Sequence, residues 1–219
     1  YSDDAQVRET AEALLSLLTP IAKGFLSEVS VEATSYGVQV LGGHGYVREW
    51  GQEQHFRDAR ITSIYEGTSG IQGLDLLGRK ILGSRGKALE PFLLLVGSFC
   101  QQHPNGAYTA QLQKLVQQWT ALTGELGVKA LQNPDEINAA AYDYLMFSGY
   151  TVMAWTWAQA AYVAETALQN NPAEKDAAFY RNKLVTARFY FERLLPRTLA
   201  LAASMRAGVA TLPEFDPLE

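Results

Sequence analysis

The chain is 219 residues long and carries 18 Lys plus Arg against 23 Asp plus Glu, a net charge of -5. With 47% hydrophobic and 19% charged residues it has enough apolar material for a packed core, which excludes global disorder. The acidic balance excludes a general electrostatic attraction to nucleic acid or an anionic membrane, and the one cysteine, Cys100, excludes an intrachain disulfide and a CxxC zinc site. Cys100 reads as a small buried apolar residue.

The opening, YSDDAQVRET, has neither a basic start nor an apolar stretch, so it is not a signal peptide. A chain starting at Tyr1 reads as a piece of something longer, with the cytoplasm as its expected location. Ile21, Phe25, Val29, Ala33, Tyr36 and Val40 recur at steps of three or four. They predict a helix with one apolar stripe, starting near Thr19-Pro20 and ending at Gly42-Gly43. A loop, GHGYVREWG, follows, then a short polar helix over 52–62. Ile71, Leu74, Leu77 and Ile81 form a third stripe that reaches Gly83.

Breakers and charges cluster over 82–91, which marks a linker, set at 84–90 between a first unit (1–83) and a second (91–219). Pro104-Asn105-Gly106, Asn133-Pro134 and Asn170-Asn171-Pro172 then divide the remainder into four helical segments, the pattern of an antiparallel bundle. The third segment is rich in Ala, Tyr and Trp and almost free of charge, so it should be the central helix. Pro196 predicts a kink in the fourth. Residues 144–164 lack any charge and are long enough to cross a bilayer. Ser148, Thr151, Thr156 and Gln159 inside the run, and the lack of a flanking basic cluster, favour a buried soluble helix and no membrane span. The fold class is therefore all-α.

Chemistry concentrates between residues 39 and 80. In Ile64-Tyr65-Glu66-Gly67-Thr68-Ser69-Gly70 a carboxylate precedes a helix start. Thr68 or Ser69 serves as N-cap, and Gly67 and Gly70 allow positive φ and close backbone approach. Free N–H groups beside Glu66 suit an anion or oxyanion, and Ile64, Tyr65 and Ile71 would partly desolvate the carboxylate. From these residues alone the plainer reading is that Glu66 decorates a helix start. The Gln39-Val40-Leu41-Gly42-Gly43-His44-Gly45-Tyr46 turn lets a ligand or another chain approach the backbone, although a glycine-terminated helix is ordinary. Arg57-Asp58-Ala59-Arg60 reads as a solvated face with local ion pairs. No His-x-x-x-His or Glu-x-x-His pair involves His44, His55 or His103, so no metal is expected. Trp155 and Trp157 lie on different sides of a helix and read as packing residues.

Taken together, QVLGGHGYVREWGQEQHFRDARITSIYEGTSGIQ closely resembles the C-terminal signature of the acyl-CoA dehydrogenase family: a QxxGGxGY turn, then RDARI, then IYEGT and a closing helix. The match covers roughly 45 residues with order and spacing intact. The continuation GLDLLGRKIL and the helical residues after it resemble the branch with an added C-terminal helical region, which includes fatty acyl-CoA and 3-methylmercaptopropionyl-CoA dehydrogenases. The resemblance implies the C-terminal part of that family's helical bundle followed by a second antiparallel bundle.

It further implies that Glu66 is the base that removes the α-proton of an acyl-CoA thioester while FAD takes the β-hydrogen as hydride, giving a trans-2-enoyl-CoA. The enolate oxygen would be met by the glutamate's own N–H and a flavin hydroxyl. Gly67 is expected against the substrate and Thr68, Ser69 and Gly70 along the flavin's adenosine part. Gln39, Val40, Leu41, Gly42 and Gly43 are expected to meet the FAD of a neighbouring subunit in a homodimer or higher oligomer. An electron-transfer flavoprotein or similar acceptor would reoxidise the enzyme. Many members carry Gln at the position of Gly70, which removes a side-chain contact. The family's N-terminal helical and middle β-domains are not in this sequence, so the chain is not expected to catalyse alone. Two alternatives stay open: a non-catalytic interaction module on the same scaffold, and an acyl-CoA oxidase.

Overall fold

Asp4 starts the first helix, its carboxylate accepting the N–H groups of Gln6 and Val7 at 2.8 and 3.4 Å. From there α1 (Ala5–Leu41) runs 37 residues to Gly42, which closes it at φ 59°. The computed structural model describes residues 4–170 and 173–212. The predicted end of α1 agrees, but its start lies fifteen positions before Pro20, which sits inside the helix. A proline there denies the Ser16 carbonyl its helical N–H donor. Lys80 supplies a substitute, its Nζ donating to Ser16 O at 2.6 Å and Ser16 Oγ at 2.8 Å.

Beyond Gly42, a single turn α2 (Gly43–Tyr46) leads into α3 (Gln52–Thr62), which returns along α1. The next helix, α4 (Ser69–Leu74), continues directly into a π-helical stretch, Asp75–Leu82. That wider stretch shifts the predicted register. Leu77 and Ile81 are buried as expected and Leu76 joins them, but Ile71 points outward. The 84–90 connection is a close-packed turn. Gly86 N–H donates to Ile81 O at 2.8 Å, and Leu89 is buried.

Four segments follow, at the predicted turns: α5 (Glu90–Gln102), α6 (Thr109–Gln132), α7 (Asp135–Gln169) and α8 (Glu174–Phe189). Of the turn between the last two, Asn171 and Pro172 lie outside the described residues. At Pro196 the predicted kink is a break. A π-helical turn, Tyr190–Leu194, closes with Leu195 N–H on Tyr190 O at 2.9 Å, and α9 (Arg197–Ala207) begins after the proline. Among the described residues there is no strand.

Helix α7 is the axis, packed against α1, α4, α6, α8 and α9. Two glycines allow the closest approaches. The Phe25 ring of α1 lies where a Cβ on Gly149 would stand, 2.1 Å away, and the Ala141 carbonyl of α7 lies 2.6 Å from where a Cβ on Gly73 would be. One hydrophobic cluster therefore joins both predicted units, from Leu17 and Ile21 on α1 through Tyr144 and Phe147 to Phe92 and Trp119. Each such large apolar side chain contributes roughly 1.5–3 kcal/mol on burial. Inside the cluster Thr123 Oγ1 donates to Trp119 O and lies 2.7 Å from Tyr144 Oη, whose phenol is pushed far up by burial. Cys100 is buried, and its thiol is likewise raised. Trp155 meets the edge of Phe92, whereas Trp157 lies under Lys183.

Residues 144–164 form the buried middle of α7. By length and composition the helix among the described residues that could cross a membrane is α1, whose inner stripe is instead packed on α4 and α7. The α1 stripe is only half covered: Ile21 and Phe25 are buried, but Tyr36 is 56% and Val40 85% exposed. Its far end is an apolar face open to solvent.

Candidate functional site

The Glu66 loop leaves the end of α3 and enters α4. Thr68 is the N-cap, its Oγ1 accepting Ile71 N–H at 3.3 Å. Two successive residues take left-handed backbone, Glu66 at φ 54° and Gly67 at φ 91°. For a glutamate that conformation costs about 1–2 kcal/mol, so the surroundings must hold it. They do so from α1. Lys23 Nζ donates to Thr62 O at 2.6 Å and to Gly67 O at 2.7 Å, and Ser27 Oγ lies 3.3 Å from Thr62 O. Glu28 accepts a hydrogen bond from Ser69 Oγ. Beside Glu28 stands Tyr142 of α7, whose phenol is pushed up to about 12 by burial and by that carboxylate.

Glu66 itself is exposed, as are Ile64, Tyr65 and Ile71, so the desolvation expected from those neighbours is not supplied within this chain. Among the described residues, nothing accepts the Glu66 N–H. Ser69 is buried, its hydroxyl engaged by Glu28 and its N–H on Ser63 O at 3.4 Å, which leaves Thr68 and Gly70 as the exposed part of that run. Gly70 has open space around its α-carbon.

The glycine turn is equally bare. Gln39, Val40, Leu41, Gly42 and Gly43 are all exposed, and nothing lies within 4 Å of a Cβ placed on Gly42 or Gly43. It stands 12–20 residues along the chain from the Lys23–Ser27 anchor, roughly 25 Å centre to centre at the helical rise. The structure thus does not bring residues 39–43 to Glu66 within one chain. A groove of about 960 Å³ between the 82–93 turn and α6, lined by Leu82, Leu89, Leu93, Val128, Leu131 and Ile137, is separate from both.

The remaining sequence candidates are ordinary. Arg57 pairs with Glu53 at 2.6 Å on a solvated face, and Arg60 donates to Ser63 Oγ. His44 packs on Trp50, and His103 lies 3.7 Å from the Tyr162 ring centroid. Sequence reasoning missed Lys23, Ser27 and Glu28. The one signal was polar residues placed at helical spacing beside the α1 stripe.

Farther along α1, Glu32 receives two bonds from Arg197 of α9, at 2.7 and 2.8 Å, and one from Tyr36 Oη at 2.8 Å. Arg197 holds the Glu32 carboxyl below its ordinary value, and Glu32 raises the guanidinium in turn. Arg197 also donates to Tyr150 Oη at 2.9 Å. The second helical region is thus bonded to the helix that ends in the glycine turn and anchors the Glu66 loop.

An all-helical chain with a glycine turn, a strained glutamate loop and an appended bundle defines the class. The family description "Acyl-CoA dehydrogenase, C-terminal domain" matches residues 4–82, and "Acetyl-CoA dehydrogenase C-terminal like" matches residues 92–216. The chain belongs to the acyl-CoA dehydrogenase family, as a C-terminal region. It is 34% identical over 195 residues to 3-methylmercaptopropionyl-CoA dehydrogenase of Ruegeria pomeroyi, covering 87% of this chain and 33% of that protein. With the broad-specificity linear acyl-CoA dehydrogenase FadE5 of Mycobacterium tuberculosis it shares 31% over 207 residues, 90% of this chain and 33% of the relative. Human short-chain specific acyl-CoA dehydrogenase is 48% identical over 65 residues, 30% of this chain and 16% of that protein. The chain spans about a third of the length of the first two relatives.

Proposed function

We propose that this chain is the base-bearing C-terminal region of a flavoprotein that oxidises acyl-CoA thioesters to trans-2-enoyl-CoAs, with Glu66 taking the α-proton. The observation that carries the reading is the Glu66 loop: an exposed glutamate at φ 54°, a backbone N–H without an acceptor beside it, and a main chain anchored to α1. A proton next to a thioester is weakly acidic, so the base must be fixed in place and negative charge on the thioester oxygen must meet a donor. Glu66 supplies the base and its own N–H supplies a donor. Gly67, next along the loop, would lie against the substrate.

The residues present suit a large planar cofactor. Gly42 and Gly43 offer backbone that no side chain shields, and Gly70 adds a second open position. The run Thr68, Ser69 and Gly70 would lie along the adenosine part of FAD, and Gln39, Val40, Leu41, Gly42 and Gly43 would hold the FAD of a neighbouring subunit. The roughly 25 Å along α1 between the glycine turn and the anchor of the Glu66 loop accords with that division. When bound, FAD supplies the two-electron acceptor for the β-hydrogen. The rest of the protein would cover Glu66 and exclude water. The homo-oligomer, the electron-transfer flavoprotein and the cytoplasmic location belong to the same proposal.

The test is Glu66→Gln in the full-length protein. The variant should keep FAD and bind acyl-CoA yet lose flavin reduction by roughly 10³-fold or more, the scale of removing a general base together with its charge. Undiminished bleaching of the flavin by acyl-CoA removes Glu66 from this role.

A further inference from the structure

We infer that Lys23 is the positioning residue of the Glu66 loop, its ammonium fixing the backbone that aims the carboxylate. This rests on the reading of Glu66 as the base.

The loop is short and contains two consecutive left-handed residues, Glu66 and Gly67. Without Lys23, Gly67 O would lack a donor, and Thr62 O would keep only the 3.3 Å bond from Ser27 Oγ. Thr62 O belongs to the last residue of α3, beyond the reach of helical N–H groups, and Gly67 O directly follows Glu66. Lys23 Nζ bonds both, at 2.6 and 2.7 Å. One group with diverging donors thus clamps the start and the end of the loop, with Glu66 between them. A carboxylate does not compete for the ammonium, since among the described residues Lys23 forms no ion pair. Instead the Tyr65 ring covers it, 5.9 Å from centroid to Nζ. A Cβ at Gly67 would come within 2.6 Å of Gln72 Nε2, so the loop is confined on that side as well. Ser27 secures Lys23 from the helix, donating to Lys23 O at 2.6 Å. Loss of the clamp frees Glu66 to leave the left-handed region, and the base is then misplaced relative to the α-carbon.

The experiment uses the FAD-loaded full-length protein in five forms: wild type, Lys23→Met, Lys23→Gln, Lys23→Arg and Glu66→Gln. Flavin bleaching is followed anaerobically at saturating concentration of the saturated acyl-CoA that reduces the wild type fastest. Affinity is measured separately with the corresponding 2-enoyl-CoA. Lys23→Met and Lys23→Gln should reduce flavin roughly 10- to 100-fold more slowly, with affinity within about threefold of wild type, because misplacement of the base affects the reacting geometry and not ground-state binding. Lys23→Arg, which keeps diverging donors, should recover part of the rate. Wild-type rates in Lys23→Met and Lys23→Gln overturn the proposal, as does a loss of affinity that matches the loss of rate. If Lys23→Met cannot be obtained folded, Lys23→Gln is read in its place. Loss of flavin in both also overturns the proposal, because Lys23 is then a general support. Full flavin reduction by Glu66→Gln would count against the base assignment itself, separately from the Lys23 results.

Discussion

Lys80 donates to the carbonyl of Ser16, the acceptor that Pro20 deprives of its helical partner. A residue 64 positions away in sequence thereby lets α1 pass through a proline.

Lys80→Met should destabilise the chain by about 1 kcal/mol, the scale of one charge-assisted bond to a partly exposed carbonyl. In a Pro20→Ala background the restored helical N–H satisfies Ser16, so the cost of Lys80→Met should shrink. A double-mutant cycle by urea unfolding measures the difference, and strict additivity would contradict the pairing.

Gly149→Ala should be far more damaging than a surface glycine change. Its new methyl group would meet the Phe25 ring at 2.1 Å, inside the contact between α1 and α7. A loss of roughly 2–3 kcal/mol or more is expected from overpacking, measured by the same unfolding experiment. Gly97→Ala, where nothing lies within 4 Å, should be neutral or stabilising.

The Glu32–Arg197 pair gives a pH-dependent term. Glu32 titrates below its ordinary 4.5 in the folded chain, so its stabilisation is complete above that pH and is lost as pH falls through the lowered value. Both side chains are about a third exposed, which limits the pair to about 1 kcal/mol. Wild type should therefore exceed Glu32→Gln in stability at neutral pH, and the gap should close on acidification. A constant gap would show that the charge of Glu32 contributes nothing.

Tyr144→Phe removes the buried hydroxyl that faces Thr123 Oγ1 at 2.7 Å. Thr123 keeps its bond to Trp119 O, so only one partner is lost and the cost should be about 1 kcal/mol by urea unfolding. Thr123→Val strands the Tyr144 hydroxyl in the core and should cost more, about 1–3 kcal/mol.

Much of this architecture was legible in the sequence because turns and periodicity are local. Asn133-Pro134 marks the α6–α7 turn, Gly42 ends α1, and the third segment, almost free of charge, is the axial helix. The family signature was legible for the same reason: residues 39–70 are contiguous. What failed depends on distant partners or altered helical pitch. Pro20 reads as a helix start because the rescuing Lys80 is invisible locally. Ile71 reads as core because the stripe assumes 3.6 residues per turn, whereas residues 75–82 are wound more widely. Lys23 went unnoticed because its acceptors are main-chain atoms some forty positions on. The expected cover over Glu66 did not appear, since Ile64, Tyr65 and Ile71 face the same solvent as the carboxylate.

The shared core has a practical bearing on protein engineering. Because Phe25 rests on Gly149 and Gly73 abuts Ala141, a chimera that transplanted only the first 83 residues onto a foreign scaffold would leave the floor of α1 behind. Severed from that floor, the graft would carry a raw apolar underside in addition to the one it already presents at Tyr36 and Val40, and its fate in solution would be aggregation.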